Sequence, residues 1–329
     1  MKTTDAYQRF AEMMCERIEA ASEDWQQPWF TFSNIKPQNI NGQEYHSLSN
    51  QMMLMMHTQK QGYKFPVFCT FSQINAFNDG VDDEHRTFVN KGEISFPVFT
   101  SIKRYKNEED ADAPLLNEDQ YNDLSEDEQE DYRLIWIHRV FNVFNIDQTN
   151  LREAHPEIYS RYENLPDTQG DPFIAIDVIL AKGDWICPVT TTEKAPNYNV
   201  ATDTVSIVEP KYFKYLDDYY STVLHEWAHS TGRKDTLSRF FDKDGKRVET
   251  DYAKEELIAE LTASYVACYF GMERRMIDES AKYCKEWLQK LKSQPSYIKS
   301  LLIDMEQASR VLINKIEEYE DYYCFDIAV

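Results

Sequence analysis

The segment STVLHEWAHSTG, residues 221–232, constrains the fold more than any other stretch of this sequence. It places His225 and His229 four residues apart, so that on a helix both imidazoles lie on one face, about 6 Å apart along the axis, and can bind one metal ion. Glu226 points about 100° away from His225, which leaves its carboxylate available to hold a water on that ion. The pattern predicts a helix that carries part of a zinc-hydrolase site, with Glu226 as the catalytic base.

The flanking residues favour burial of this helix. Val223, Leu224 and Ala228 make the opposite side apolar, and Gly232 is typical of a residue that ends a helix. In the alternative interpretation, the two histidines and Glu226 are buried polar residues of a core helix, and each would need a hydrogen-bond partner. The sequence favours the metal site.

Two candidates compete for the third metal ligand, because a catalytic zinc site normally has three protein ligands and one open position. In the form HExxHxxGxxD, Asp235 follows the glycine at the position of a metzincin-like ligand. Further along, YAKEELIAELTAS places Glu256 and Glu260 on one helix face, where one could bind zinc and the other could hydrogen-bond a ligating histidine. Spacing favours Glu256 only slightly over Asp235.

The length of 329 residues predicts two domains, since domains of roughly 150 residues are common. The strongest strand pattern, RLIWIHRVFNVFNI at 133–146, should close a first domain at 1–150, and a second domain should span 171–329 and end in long helices. Residues 108–131, here called the acidic segment, hold twelve acidic and no basic residues and are expected to form a solvated, poorly packed insertion. The predicted fold class is α+β, with a mixed α/β domain before a mainly helical one.

The net charge of −22 argues at first against a nucleic-acid partner. Much of that charge lies in the acidic segment, however, and residues 1–105 carry a net charge of only −2, so the first domain could present one basic face. Six scattered cysteines without a CxxC pair are typical of reduced thiols. No secretory signal is visible, and the most apolar run, 52–56, is far shorter than the roughly 20 residues that span a bilayer. The expected location is the cytoplasm, without a membrane partner.

Eight fragments of the sequence occur in the same order as in a known family: WQQPWF, NINGQEY, TFSQ, VNKGE, VFNIDQ, ATDTVSI, LHEWAHSTG and YAKEELIAEL. Over nearly its whole length the chain resembles the ArdC-type antirestriction proteins of conjugative plasmids and mobile elements. The resemblance implies an N-terminal single-stranded DNA-binding domain, followed by a zincin-like metallopeptidase domain with Zn²⁺ as its cofactor. It also implies Glu256 as the third ligand and Glu260 as its support. Asp235 becomes less favoured, because the matching family position is usually not acidic.

The chain departs from the family pattern in three places. Trp227 and Ser230 stand where a leucine and an aromatic residue are usual, which is expected to change the shape of the substrate site. The acidic segment is the third departure and is expected to affect DNA affinity. The donor that would stabilise an oxyanion during hydrolysis is left open among Tyr198, Tyr252 and His46.

Binding of single-stranded DNA requires basic residues along a groove and aromatic rings on which bases stack. The resemblance, rather than the composition, supports this function. The residues expected to contact DNA are Lys91, Trp29, Lys36, Tyr45, Lys64 and Arg104.

Three functions are compatible with the sequence. The first is a zinc-dependent peptidase that binds single-stranded DNA, cleaves an unidentified protein and acts in antirestriction during transfer of a mobile element. The second is a non-catalytic DNA-binding antirestriction factor with a structural or vestigial zinc site. The third is a general cytosolic peptidase that does not bind DNA, for which the charge of −22 is the main support.

Overall fold

The computed structural model of the chain describes residues 3–23, 35–83, 85–110, 112–163, 172–272, 283–295 and 297–326. Its first half is a four-stranded sheet with helices packed on it. The elements in chain order are α1 (Thr3–Glu23), β1 (Gln38–Asn39), α2 (Leu48–Gln61), β2 (Val67–Cys69), α3 (Phe71–Phe77), β3 (Phe96–Asn107), α4 (Glu118–Asn122), α5 (Glu126–Gln129), β4 (Tyr132–Asn145), a 3-10 turn (Ile146–Gln148), α6 (Leu151–Ala154) and α7 (Pro156–Glu163).

The strands of this sheet lie in the order β1-β2-β4-β3. β1 and β2 are parallel, and the other neighbours are antiparallel. β3 and β4 pair from Phe96 opposite Val143 to Asn107 opposite Tyr132 and form a long two-stranded ribbon. Both of the residues that begin this register, Phe96 and Val143, are buried in the core. β4 confirms the strand that the apolar pattern at 133–146 predicts.

The acidic segment differs from the poorly packed insertion that its composition predicts. It contains α4 and α5, which begin with capping boxes at Asn117 and Ser125. The ring of Tyr121 stacks on Tyr105 of β3, with the two ring centroids 3.7 Å apart. Leu116 and Tyr105 also exchange two backbone hydrogen bonds of 3.0 Å. Local caps and contacts with β3 therefore give a defined structure to a segment whose side chains are mostly exposed.

The second half is mainly helical and holds one small sheet. Its elements are α8 (Pro172–Lys182), β5 (Val189–Thr191), β6 (Asn197–Asn199), β7 (Thr204–Ile207), a 3-10 turn (Pro210–Tyr212), α9 (Leu216–Ser230), α10 (Tyr252–Tyr269), α11 (Cys284–Ser293) and α12 (Tyr297–Asp326). The strand order β5-β7-β6 makes β6 an edge strand. The 30-residue helix α12 packs against α10, α8 and α2. This architecture confirms the predicted α+β class with a helical second half.

Helices α9 and α10 pack against each other and carry the histidines and glutamates of the predicted metal site. α10 is buried along most of its length, and its fully buried alanines at 259, 263 and 267 let neighbouring helices come close. After the end of α9, Gly232 lies against the ring of Phe240, where a Cβ atom would come within 2.4 Å of the ring atom Cε2. The glycine is therefore required by this close contact and not by a left-handed helix cap.

The two halves share one hydrophobic core cluster. Buried residues from both sides belong to it, among them Phe10, Met52, Leu224 and Leu261. A buried polar contact also joins the halves, since the hydroxyl of Tyr265 donates to Oε1 of Gln51 at 2.8 Å. None of the helices in the described ranges combines the length and the apolar character that crossing a lipid bilayer requires.

Candidate metal centre

Three side chains from α9 and α10 converge on one point. The Nε2 atoms of His225 and His229 lie 3.1 Å apart. The carboxylate of Glu256 faces both imidazoles, with Oε2 3.5 Å from Nε2 of His225 and Oε1 3.6 Å from Nε2 of His229. Within the described ranges, these three residues are the set whose ligand atoms lie within 4.8 Å of one another. The spacing of four on α9 thus produces the geometry that the sequence predicts.

The donor set fits a divalent cation. Two imidazole nitrogens and a carboxylate that face one point are a ligand set that such an ion accepts together. The neighbouring Glu226 is 6% exposed, and its Oε2 atom has no hydrogen-bond partner among the described residues. A buried carboxylate oxygen without a partner is costly, and a water held beside the ion would satisfy it.

A further carboxylate lies next to the Nδ1 atom of each histidine. Oε2 of Glu260 lies 3.5 Å from Nδ1 of His225, and Oε1 of Glu255 lies 3.3 Å from Nδ1 of His229. Such carboxylates fix the orientation of a metal-binding imidazole through the nitrogen that faces away from the metal. The sequence predicts this position for Glu260, but it does not assign a role to Glu255.

Arg239, in the loop between α9 and α10, completes this arrangement. It donates to both oxygens of Glu255, to the hydroxyl of Thr231 at 2.8 Å and to the carbonyl oxygen of Ala228 at 3.1 Å. Burial alone would raise the pKa of Glu255, but Arg239 and His229 outweigh it and lower that pKa to about 2. Glu255 is therefore held as an anion. No motif in the sequence identifies Arg239.

Burial and neighbouring charges shift the pKa values of His225 and Glu226 in opposite directions. Burial would lower the pKa of His225, but the carboxylates of Glu256, Glu260 and Glu226 raise it to about 9. The pKa of Glu226 is raised above its ordinary value, chiefly by burial, while the two histidines partly oppose that shift. A carboxylate with a raised pKa is a better proton acceptor than an exposed one, which suits a general base.

The three converging residues line a cavity of about 1040 Å³. Glu226 and the edge strand β6 also contribute to its wall, and tyrosines 212 and 252, both largely exposed, stand among its lining residues. The backbone N–H of Tyr198 in β6 favours the charged form of Glu226. Both the candidate metal centre and β6 therefore line the cavity, and β6 is an outer strand of the described sheet.

The three residues left open as oxyanion donors differ in position. Tyr198 and Tyr252 line the cavity, whereas His46 is exposed and is not among the lining residues. The hydroxyl of Tyr198 donates to Oδ1 of Asp203 at 2.8 Å, so its proton is engaged. Tyr252 is 66% exposed and is the better placed of the two to donate to a bound substrate.

Asp235 is not part of the cluster. Its side chain is 76% exposed, and its Oδ2 atom lies 3.8 Å from Nη2 of Arg233. The HExxHxxGxxD spacing therefore occurs without bringing the aspartate to the histidines. Of the two candidate third ligands, the fold brings only Glu256 to them.

The positions of Trp227 and Ser230 contradict the prediction that these residues change the shape of the substrate site. Both are fully buried and neither lines the cavity. Trp227 stacks on Trp185 with ring centroids 4.1 Å apart, and Nε1 of Trp185 donates to the hydroxyl of Ser230 at 2.8 Å. Both departures from the family pattern therefore contact Trp185 in the core and not the cavity.

The residues predicted to contact DNA do not share one environment. Lys36 places its ammonium 3.7 Å from the ring centre of Tyr269 in α10, and Lys64 pairs with Glu163 at 2.5 Å. Burial raises the pKa of Tyr45, whose side chain packs against the core. Lys91 is exposed in a turn, and Arg104 lies on β3. Trp29 lies outside the described residues.

Two helix-borne histidines, an adjacent buried glutamate and a carboxylate from the following helix define a zincin-like protein. Comparison with known proteins agrees: residues 179–300 match the family described as zincin-like metallopeptidase, and residues 4–144 match the N-terminal domain of anti-restriction factor ArdC. Together the two matches cover most of the chain and identify it as an ArdC-type antirestriction protein.

Solved structures show the same fold. The metal-free crystal structure of the antirestriction ArdC protein from plasmid R388 aligns with a TM-score of 0.63 and 24% identity, covering 96% of this chain and 99% of that chain. The Mn(II)-bound structure of the same protein aligns with a TM-score of 0.64 and 23% identity, covering 96% and 98%.

The curated relatives differ in how much of their own length this chain covers. The chain is 25% identical over 313 residues to a DNA primase TraC from Escherichia coli, covering 92% of this chain but 26% of that protein. It is 25% identical over 293 residues to protein y4eC from Sinorhizobium fredii, covering 88% of this chain and 85% of that protein. The chain thus spans about a quarter of the primase.

Proposed function

We propose that this protein is a zinc-dependent peptidase that binds single-stranded DNA and acts in antirestriction during transfer of a mobile element. The observation that carries the peptidase part is the buried Oε2 atom of Glu226, which has no hydrogen-bond partner in the described part of the chain and lies beside the converging His225, His229 and Glu256. His225, His229 and Glu256 would hold the ion. When bound, zinc would lower the pKa of its water to about 7 and polarise a substrate carbonyl.

The residues of this chain have separate roles in that reaction. Glu226 would take the proton of the water that attacks the carbonyl and pass it to the amine nitrogen as the peptide bond breaks, and its raised pKa favours the first transfer. Glu255 and Glu260 keep the two imidazoles turned toward the ion. The edge strand β6 lines the cavity and has no further strand on its outer side in the described sheet, which is where an extended peptide would be bound by strand addition. Support for the DNA part comes from the match of residues 4–144 to the ArdC N-terminal domain.

Cleavage of casein, an unstructured protein, by the zinc-loaded full chain tests the peptidase, with and without an oligothymidine. Glu226→Gln should keep its zinc and lose cleavage by about 100-fold or more, the scale of a general base. Glu130→Gln, the same change at an exposed site in the acidic segment, should cleave like the parent. A Glu226→Gln variant that cleaves at the parent rate would remove Glu226 from the reaction.

A second function has its own support. The candidate ligands join α9 to α10, two helices of the core, so an ion there would also cross-link the fold. In this case the protein is a DNA-binding antirestriction factor whose ion has a structural role. Zinc-loaded parent that unfolds at a higher temperature than the chelated form, but cleaves nothing, would support this alternative.

A further inference from the structure

The long β3–β4 ribbon has two chemically different faces. Residues directly opposite in an antiparallel pair share a face, and alternate residues along each strand lie on the same side. Lys103 faces Trp136 across the ribbon, and Tyr105 faces Leu134. Arg104 lies on the other side of the same strand. The ribbon therefore separates its side chains into two sets, called here the covered face, which holds Lys103 and Tyr105, and the basic face, which holds Arg104.

The acidic segment lies against the covered face. Tyr121 of α4 stacks on Tyr105, and Glu118 of the same helix forms an ion pair with Lys103. Tyr121 also makes an edge contact with Tyr132 of β4 at 6.4 Å between ring centroids. Helix α4 and its acidic residue Glu118 therefore lie on the covered face.

The basic face carries four cations. By the register of the ribbon, Lys106 lies opposite Arg133 and Arg104 lies opposite Ile135. Isoleucines separate the charges, and no acidic residue occurs in either strand. Glu108, just beyond β3, lies 3.3 Å from Arg133, but both side chains are more than half exposed, so water screens this pair. The cations of the basic face are Arg104, Lys106, Arg133 and Arg139.

An aromatic ring lies at the end of the basic face where the ribbon meets the core. Phe141 is two residues from Arg139, lies opposite the buried Val98 and is 36% exposed. A row of cations with an accessible ring is the combination that binds a single nucleic-acid strand, because phosphates meet the cations and a base stacks on the ring. Arg104 and Lys106 are two residues apart on one strand, so their Cα atoms lie about 6.7 Å apart along it.

We infer that the basic face binds the phosphate backbone of single-stranded DNA, with Phe141 as a stacking platform. This inference rests on the proposed DNA-binding function and assigns it a surface. A two-stranded ribbon can also enter the major groove of a duplex. The acidic segment opposes this, because a groove that encloses both faces would bring phosphates against Glu118 and its acidic neighbours.

The test is fluorescence anisotropy of a labelled oligothymidine with the full zinc-loaded chain over a range of salt concentrations. The variant replaces Arg104, Lys106, Arg133 and Arg139 with threonine. Each lost phosphate contact should reduce the slope of log affinity against log salt by about 0.7, so four should reduce it by about 3. We expect affinity at low salt to fall at least tenfold.

A matched variant removes the same charge elsewhere. Threonine at four exposed lysines outside the ribbon, Lys194, Lys243, Lys285 and Lys299, should leave the salt slope unchanged. Replacing Arg104, Arg133 and Arg139 with lysine should retain most of the affinity, because the charge is kept. Phe141→Ala should weaken binding without changing the slope, since stacking involves no phosphate. Equal unfolding temperatures of the two fourfold variants would show that the ribbon variant is folded.

Three results would contradict the inference, and each can be told apart from the others. A ribbon variant that binds with the parent's affinity and slope would overturn the assignment of the basic face, while DNA binding itself would stand. A parent that binds no oligothymidine at low salt would overturn both. If the ribbon variant instead abolishes a dimer of the parent and leaves DNA binding intact, the face contacts a second copy of the chain and the inference is wrong.

Discussion

Arg239 donates two hydrogen bonds to the carboxylate of Glu255: Nε lies 2.9 Å from Oε2, and Nη2 lies 2.5 Å from Oε1. Both side chains are less than 10% exposed, so this is a buried bidentate pair. Glu255 in turn faces Nδ1 of His229 at 3.3 Å. A loop arginine therefore fixes the orientation of a candidate metal ligand through one carboxylate.

Arg239→Lys should weaken metal binding by about 10- to 100-fold, the usual cost of disturbing such a supporting residue. A lysine keeps the charge but cannot form the two parallel hydrogen bonds. Competition with a chelator of known affinity measures the change. Arg233→Lys is the control, because Arg233 holds Asp203 in a similar way away from the three converging residues, with Nη2 2.6 Å from Oδ2. Equal metal affinity of Arg239→Lys and the parent would exclude this role.

Gly232→Ala should destabilise the fold by about 1–3 kcal/mol, the usual cost of overpacking. The added methyl group would come within 2.4 Å of the ring of Phe240, so one of the two groups must move. Urea unfolding measures the loss. In a Phe240→Leu background the same change should cost less, because the shorter side chain removes the clash. An equal cost in both backgrounds would mean that Phe240 is not the cause.

His57 should make the fold less stable in acid. It is 4% exposed, stacks on Phe96 at 4.1 Å between ring centroids, and has a pKa lowered to about 4 by burial and by the nearby Arg9 and Lys60. The unfolded chain takes up this proton near pH 6.5, so stability is full above that pH and falls as the pH drops toward 4. The loss is at most about 3 kcal/mol.

His57→Phe keeps an aromatic ring against Phe96 and removes the titrating group. Its free energy of unfolding should therefore depend less on pH than that of the parent between pH 6.5 and 4. Urea unfolding at several pH values measures both slopes. The same slope in the two proteins would show that His57 does not contribute to the acid sensitivity.

The sequence predicts the inner part of the site better than its surroundings. His225, Glu226 and His229 follow from one helical repeat, because spacing within a helix determines which side chains share a face. Spacing also places Glu256 and Glu260 on one face, but the preference for Glu256 over Asp235 came mainly from the family resemblance. Arg239 could not be found in this way, since it reaches Glu255 from a loop whose path depends on tertiary packing. The sequence predicts that Gly232 ends α9, and the residue does follow the end of that helix, but the reason for a glycine there, its contact with Phe240, requires the fold.

The acidic segment shows where composition is misleading. Its charge predicts a solvated insertion, yet the spacing of Asn117 to Gln120 and of Ser125 to Glu128 is that of two capping boxes, which indicate helix starts. Those local patterns are visible in the sequence. The stacking of Tyr121 on Tyr105 is not, because it depends on how the segment folds back on β3.

Metal content of the purified protein tests the central claim most directly. We expect about one zinc ion per chain in the parent, its loss in His225→Ala and Glu256→Ala, and its retention in Asp235→Asn, since Asp235 lies outside the cluster. Zinc that stays in Glu256→Ala but disappears from Asp235→Asn would contradict the assigned third ligand. A parent that binds no zinc under metal-replete conditions would contradict the metal centre itself.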